Sequence, residues 1–65
     1  MNKDQAARVL RNTRALALRT GQDQTIVRNS VKVRVCPNVS GKSVRYVVNA
    51  TKRSKAEAIS FLVEA

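Results

Sequence analysis

Val31-Lys32-Val33-Arg34-Val35 alternates valine and cation at every step, the two-residue period of a strand with one buried and one exposed face. Its three valines face a core and its two cations face away. Cys36 prolongs the run, and Pro37, which cannot donate to a sheet ladder, ends it. Asn38-Val39-Ser40-Gly41-Lys42 reads as a hairpin loop, with Gly41 suited to positive φ. The return strand covers Ser43 to Asn49. Val44, Tyr46 and Val48 join the valines on the core side, while Arg45, Val47 and Asn49 point outward beside Lys32 and Arg34. This outward face carries three cations and no acid. Like charges opposed across strands are unfavourable, so an anionic partner relieves them.

Helices flank this hairpin. Asn2 with Gln5 three residues on forms a capping box, and Asp4 in the first turn suits the helix dipole. Gly21 is placed to end the helix and Arg19 complements its last turn, which predicts a helix over residues 3–20. At about 100° per residue, Ala6, Val9, Leu10, Thr13, Leu16 and Ala17 share one face. Arg8, Arg11, Arg14 and Arg19 gather on the other, with Leu18 an exception among them. Thr25-Ile26-Val27-Arg28 is a β-branched run that can form a first strand. Ala50-Thr51-Lys52-Arg53 reads as a loop into a second capping box, Ser54 with Glu57, opening a helix from Lys55 to about Glu64. Ala58, Ile59, Phe61, Leu62 and Val63 give that helix a broad apolar face. The expected fold is α+β, in the order α-β-β-β-α. A small antiparallel sheet of two or three strands carries an N-terminal and a C-terminal helix on one face.

Length and charge bound the function. The 65 residues make a single domain, 1–65, with a thin core, because a chain this short buries only about 60% of its unfolded surface. A hydrophobic share of 43% is too high for a disordered basic tail, so a folded module is expected. Thirteen Lys and Arg against four acids give a formal charge of +9, and no acid lies between Asp23 and Glu57. Nucleic-acid phosphate is the usual target of such a field. The single Cys36 excludes an internal disulfide and reads as a small apolar packing residue. With no His, one Cys and scattered carboxylates, neither a zinc site, nor another cofactor, nor an enzyme is expected. No apolar run approaches the ~20 residues of a membrane span, and Met1-Asn2-Lys3-Asp4 lacks the apolar stretch of a signal peptide. Cytoplasm, nucleoid and virion interior all stay open, as does a homodimer or larger assembly.

Three basic groups emerge as candidate nucleic-acid contacts. The first is the helix face, Arg8, Arg11 and Arg14. The second is the outward sheet face, Lys32, Arg34 and Arg45, with Lys42 in the adjoining loop. The third is Lys52-Arg53-Ser54-Lys55, whose cations surround a helix N-terminus that the dipole already makes positive. Both aromatic residues, Tyr46 and Phe61, are expected in the core, which leaves no stacking platform for single strands and favours a duplex.

Thr51-Lys52-Arg53-Ser54-Lys55-Ala56-Glu57-Ala58 resembles the opening of the second helix in double-stranded-RNA-binding domains. There a Ser-Lys-Lys-x-Ala-type motif bridges phosphates across a major groove. Asn29-Ser30 is too short for the long loop which that family carries between its first two strands. Residues 31–65 also look like the arm-site DNA-binding domains of phage and transposon integrases, a three-stranded sheet followed by a helix. Thr51, Lys52, Lys55, Glu57 and Ala58 stand near the matching positions. That resemblance implies Lys32, Arg34 and Arg45 in a DNA major groove, and the size and layout of the chain point to a phage or mobile-element origin. The expected role is non-catalytic binding of duplex nucleic acid, DNA ahead of RNA, with Arg34 or Arg45 reading bases. The rival is a small basic subunit of a virion or ribonucleoprotein particle, with Leu18, Val39 and Val47 as oligomer contacts.

Overall fold

A computed structural model describes residues 1–65, and its fold is α+β. The elements run α1 (Lys3–Thr20), β1 (Gln24–Arg28), β2 (Val31–Pro37), β3 (Val44–Val48), β4 (Thr51–Arg53) and α2 (Lys55–Glu64). The strands form one antiparallel meander in the order β1-β2-β3-β4, so the sheet has four strands where two or three are expected. Both helices pack on the same face of it. No helix is long and apolar enough to cross a membrane.

The helix limits follow from their caps. Asn2 Oδ1 accepts from the Gln5 N–H at 2.8 Å, and Gln5 Oε1 accepts from the Asn2 N–H at 3.0 Å. Gly21 adopts φ 70° and donates its N–H to Ala17. Ser54 and Glu57 make the same reciprocal pair at the start of α2. These bonds satisfy N–H groups that the first turn of a helix leaves free.

Register separates the sheet faces. Val33 opposes Ile26 and Val48, and Val35 opposes Tyr46. These side chains meet Ala6, Leu10 and Ala17 of α1 and Ala58 and Leu62 of α2 in one core. Leu10, Leu62, Val33 and Val35 are its largest fully buried side chains.

The fourth strand replaces the expected loop at Thr51-Lys52-Arg53. It pairs Thr51 with Val48 and Arg53 with Tyr46. A two-residue turn makes it possible, with Asn49 at φ 47° and Ala50 at φ 70°. Two positive φ values match the right-handed twist of the flanking strands, a conformation usually given to Asn-Gly. Asn49 also extends the ladder. Its N–H donates to the Lys32 carbonyl, and its Oδ1 accepts from the Lys32 N–H, both at 3.0 Å.

Candidate nucleic-acid interface

The face of the sheet away from the helices is uncovered. Register lines up Thr25, Arg34, Val47 and Lys52 across all four strands, with Val27 and Lys32 in the next row and Cys36 beside Arg45 in another. Four exposed cations, Lys32, Arg34, Arg45 and Lys52, thus share one surface, one more than the alternation of the central hairpin supplies. Strands lie about 4.8 Å apart, so the row from Arg34 through Val47 to Lys52 spans about 10 Å. Val27, 67% exposed, and half-buried Val47 supply an apolar patch between the charges.

Arg34 is tied at one end. Its Nη2 lies 3.2 Å from Asp23 Oδ2, and both side chains are about half exposed. Such a surface pair contributes roughly 0–1 kcal/mol, little enough for a phosphate to displace the carboxylate. Arg45 Nη1 donates to Asn38 Oδ1 at 3.4 Å, in the loop that carries exposed Lys42 and Val39. Cys36 is buried at 2% exposure but stands outside the core cluster, on the cationic face. Burial pushes its thiol pKa up. The Asp23 carboxylate pushes in the same direction, and Arg34 and Arg45 pull against both.

The expected cluster at the second helix start is dispersed, and the fourth strand is the reason. Alternation along a strand sends Lys52 to the open face and Arg53 to the helix side. Arg53 Nη1 lies 3.4 Å from Glu57 Oε2, and its guanidinium carbon sits 5.4 Å from the Phe61 ring centroid, within cation–π range. Lys55 is exposed in the first turn of α2. The helix end is already served by a carboxylate. Glu57 has a pKa below the usual glutamate value, first because the Ser54 N–H donates to it, then through the Ser54 side chain and the Arg53 charge.

On α1 the exposed stripe is Arg8, Arg11, Asn12, Ala15 and Arg19. Arg14 departs from the expected solvated face. It is half-buried, and its charge acts on the Tyr46 phenol, opposing the rise in pKa that burial produces. Arg28, not anticipated as a contact, lines a shallow depression with Met1, Gln5, Arg8 and Val9. Its inward parity with Ile26 in the β1 register is the signal that places it on the helix side.

Ion pairs engage Arg34 and Arg53, leaving eleven of the thirteen cations without a carboxylate partner. No family model, curated protein or solved structure matches this chain. The resemblances to RNA-binding and integrase modules therefore rest on the quoted residues alone.

Proposed function

We propose that this domain binds duplex nucleic acid without catalysis, DNA ahead of RNA, by laying its open sheet face on the duplex. The observation that carries the reading is the uncovered surface bearing Lys32, Arg34, Arg45 and Lys52, where a second helical layer is absent. An antiparallel sheet with one wet face ordinarily mixes its polar residues. Here the only carboxylate beside the cations is Asp23, at the edge. The B-DNA major groove, about 12 Å wide, admits a two-stranded ribbon, which the β2–β3 hairpin supplies with β1 and β4 at the rims. The deep, narrow major groove of A-form RNA does not admit side chains in this way, hence the preference for DNA. Arg34 and Arg45, on adjacent strands, are the candidates for bidentate contact with guanine, and the others position the chain on phosphates. No aromatic side chain lies on the open face, because Tyr46 is in the core and Phe61 lies under Arg53. Single strands therefore find no stacking surface.

Binding to a fluorescent duplex at several salt concentrations tests this. With Lys32 and Lys52 on phosphates and Arg34 and Arg45 on bases, the sheet face contributes a slope of log affinity against log salt of about −1.8, and with all four on phosphates about −3.6. Lys32→Gln/Arg45→Gln/Lys52→Gln should weaken binding and flatten the salt slope by the sheet-face share while leaving the melting temperature nearly unchanged, since all three side chains are exposed. Absence of binding at low salt, or a triple variant that binds as the parent does, rejects the proposal. The rival reading as a basic subunit of an assembly is favoured by one observation, the fully exposed Val39 at the β2–β3 loop. Sedimentation as a higher oligomer, abolished by Val39→Ser, would support it.

A further inference from the structure

Seven of the eleven cations free of ion pairs lie on two surfaces on opposite sides of the molecule. On one side is the open sheet face with Lys32, Arg45 and Lys52. The other is set by the rotation of α1. At about 100° per residue, buried Ala6, Leu10 and Ala17 centre on a direction about 180° from the stripe of Arg8, Arg11 and Arg19. Since α1 turns its buried side to the sheet and α2, the arginine stripe faces away from both. Arg28 lies beside Arg8 on this same side. One acid, Asp4, shares the stripe, and no cation lies within ion-pairing distance of it.

A straight duplex cannot touch both surfaces. The protein lies between them, and even its two shorter dimensions are 22 and 17 Å. Duplex DNA has a persistence length of about 150 base pairs, so folding it back around a body this narrow costs far more than a few phosphate contacts return. The two surfaces therefore suit two duplex segments. We infer that one copy of this chain bridges two duplexes, one held by the sheet face and a second by Arg8, Arg11, Arg19 and Arg28 on the helix side. The inference rests on the duplex-binding reading and extends it from a single-site binder to a crosslinker.

The experiment loads the full chain onto a bead-bound duplex at low salt, washes, and measures capture of a second, fluorescent duplex. Arg8→Gln/Arg11→Gln/Arg19→Gln alters exposed side chains opposite the core, so folding should hold, checked by an unchanged melting curve. At equal loading on the first duplex, this variant should capture on the order of tenfold less of the second, because three phosphate contacts are lost. Three outcomes count against the inference. If the parent chain loads the first duplex and captures no second, bridging is wrong while duplex binding stands. If the helix variant captures as much as the parent, the bridge runs through self-association or a single face. If the parent fails to load the first duplex at all, the duplex-binding reading falls and the inference falls with it.

Discussion

Ala50→Gly should stabilise this domain, although it deletes a methyl group and loosens the unfolded chain. Ala50 stands at φ 70° in the turn between β3 and β4, closed by the Val48–Thr51 pair. A left-handed conformation costs an L-residue roughly 1–2 kcal/mol, through the approach of Cβ to the following carbonyl oxygen. Glycine escapes that strain but loses about 0.5–1 kcal/mol more backbone entropy on folding. The Ala50 side chain is exposed, so its removal leaves no cavity. The net gain is on the order of 0.5–1 kcal/mol, and for a domain of this size about 4–8 °C per kcal/mol follows, so the melting temperature should rise by about 2–8 °C. Thermal unfolding followed by circular dichroism measures this. Asn49→Ala is the counter-experiment, since it removes the Oδ1 that accepts from the Lys32 N–H at 3.0 Å and places a second alanine at positive φ. It should lower stability by about 1–2 kcal/mol. An Ala50→Gly protein that melts at or below the parent temperature refutes the account of the turn, and with it the reason β4 forms where it does.

Two titrations follow from the same geometry. Glu57 has a depressed pKa in the folded state, so its contribution is present above the ordinary glutamate value of about 4.3 and is lost as pH falls through the lower folded value. Glu57→Gln should therefore melt below the parent at neutral pH, with the gap closing toward about pH 3, and a gap constant across that range would show that the charge plays no part. Cys36, its thiol raised by burial and by Asp23, should be alkylated at least about tenfold more slowly in the folded protein than in denaturant. Asp23→Asn should speed the folded-state reaction, and equal rates in the folded and denatured chain would contradict the placement of the thiol.

How much of this was legible depended on whether a local signal matched a tertiary outcome. Asn2, Gln5 and Gly21 bracket α1 at the expected residues, because capping is a contest between neighbours that sequence alone decides. The valine alternation of β2 and β3 was equally plain. β4 was not, since Thr51, Lys52 and Arg53 carry no apolar alternation. That strand is held by its ladder to β3 and by Arg53 against Glu57 and Phe61, contacts that exist only once α2 has packed. The turn before it uses alanine where the usual signal is glycine, so the hairpin had no visible marker. The candidate site moved for the same reason. Read as a loop, Lys52 and Arg53 appear to crowd one helix end, whereas strand parity assigns them to opposite faces. Arg14 moved too, because at about 100° per residue it stands only about 60° from the direction of buried Ala6, Leu10 and Ala17, on a flank half-covered near Tyr46.

The meander topology explains why charge and fold are coupled here. With both helices on one face, the other face must be wet, and the chain fills it with cations at neighbouring positions. Arg34 and Lys32 lie two residues apart on β2, and Lys52 stands two strands away in the row of Arg34. Each such proximity works against the folded state of the free protein, since unfolding lets the charges separate. A domain of this length has a small margin to spare. A polyanion that seated on the face would remove the repulsion. It adds to stability to the extent that it binds the folded arrangement more tightly than the open chain, which keeps its +9 charge. At a hundredfold excess over its dissociation constant, such a ligand adds at most about 2.7 kcal/mol to stability. Under the proposed duplex binding, a surface that is a liability in isolation becomes a stabilising one when occupied, and the strand pairing that gathers the four cations would gain in stability from that ligand.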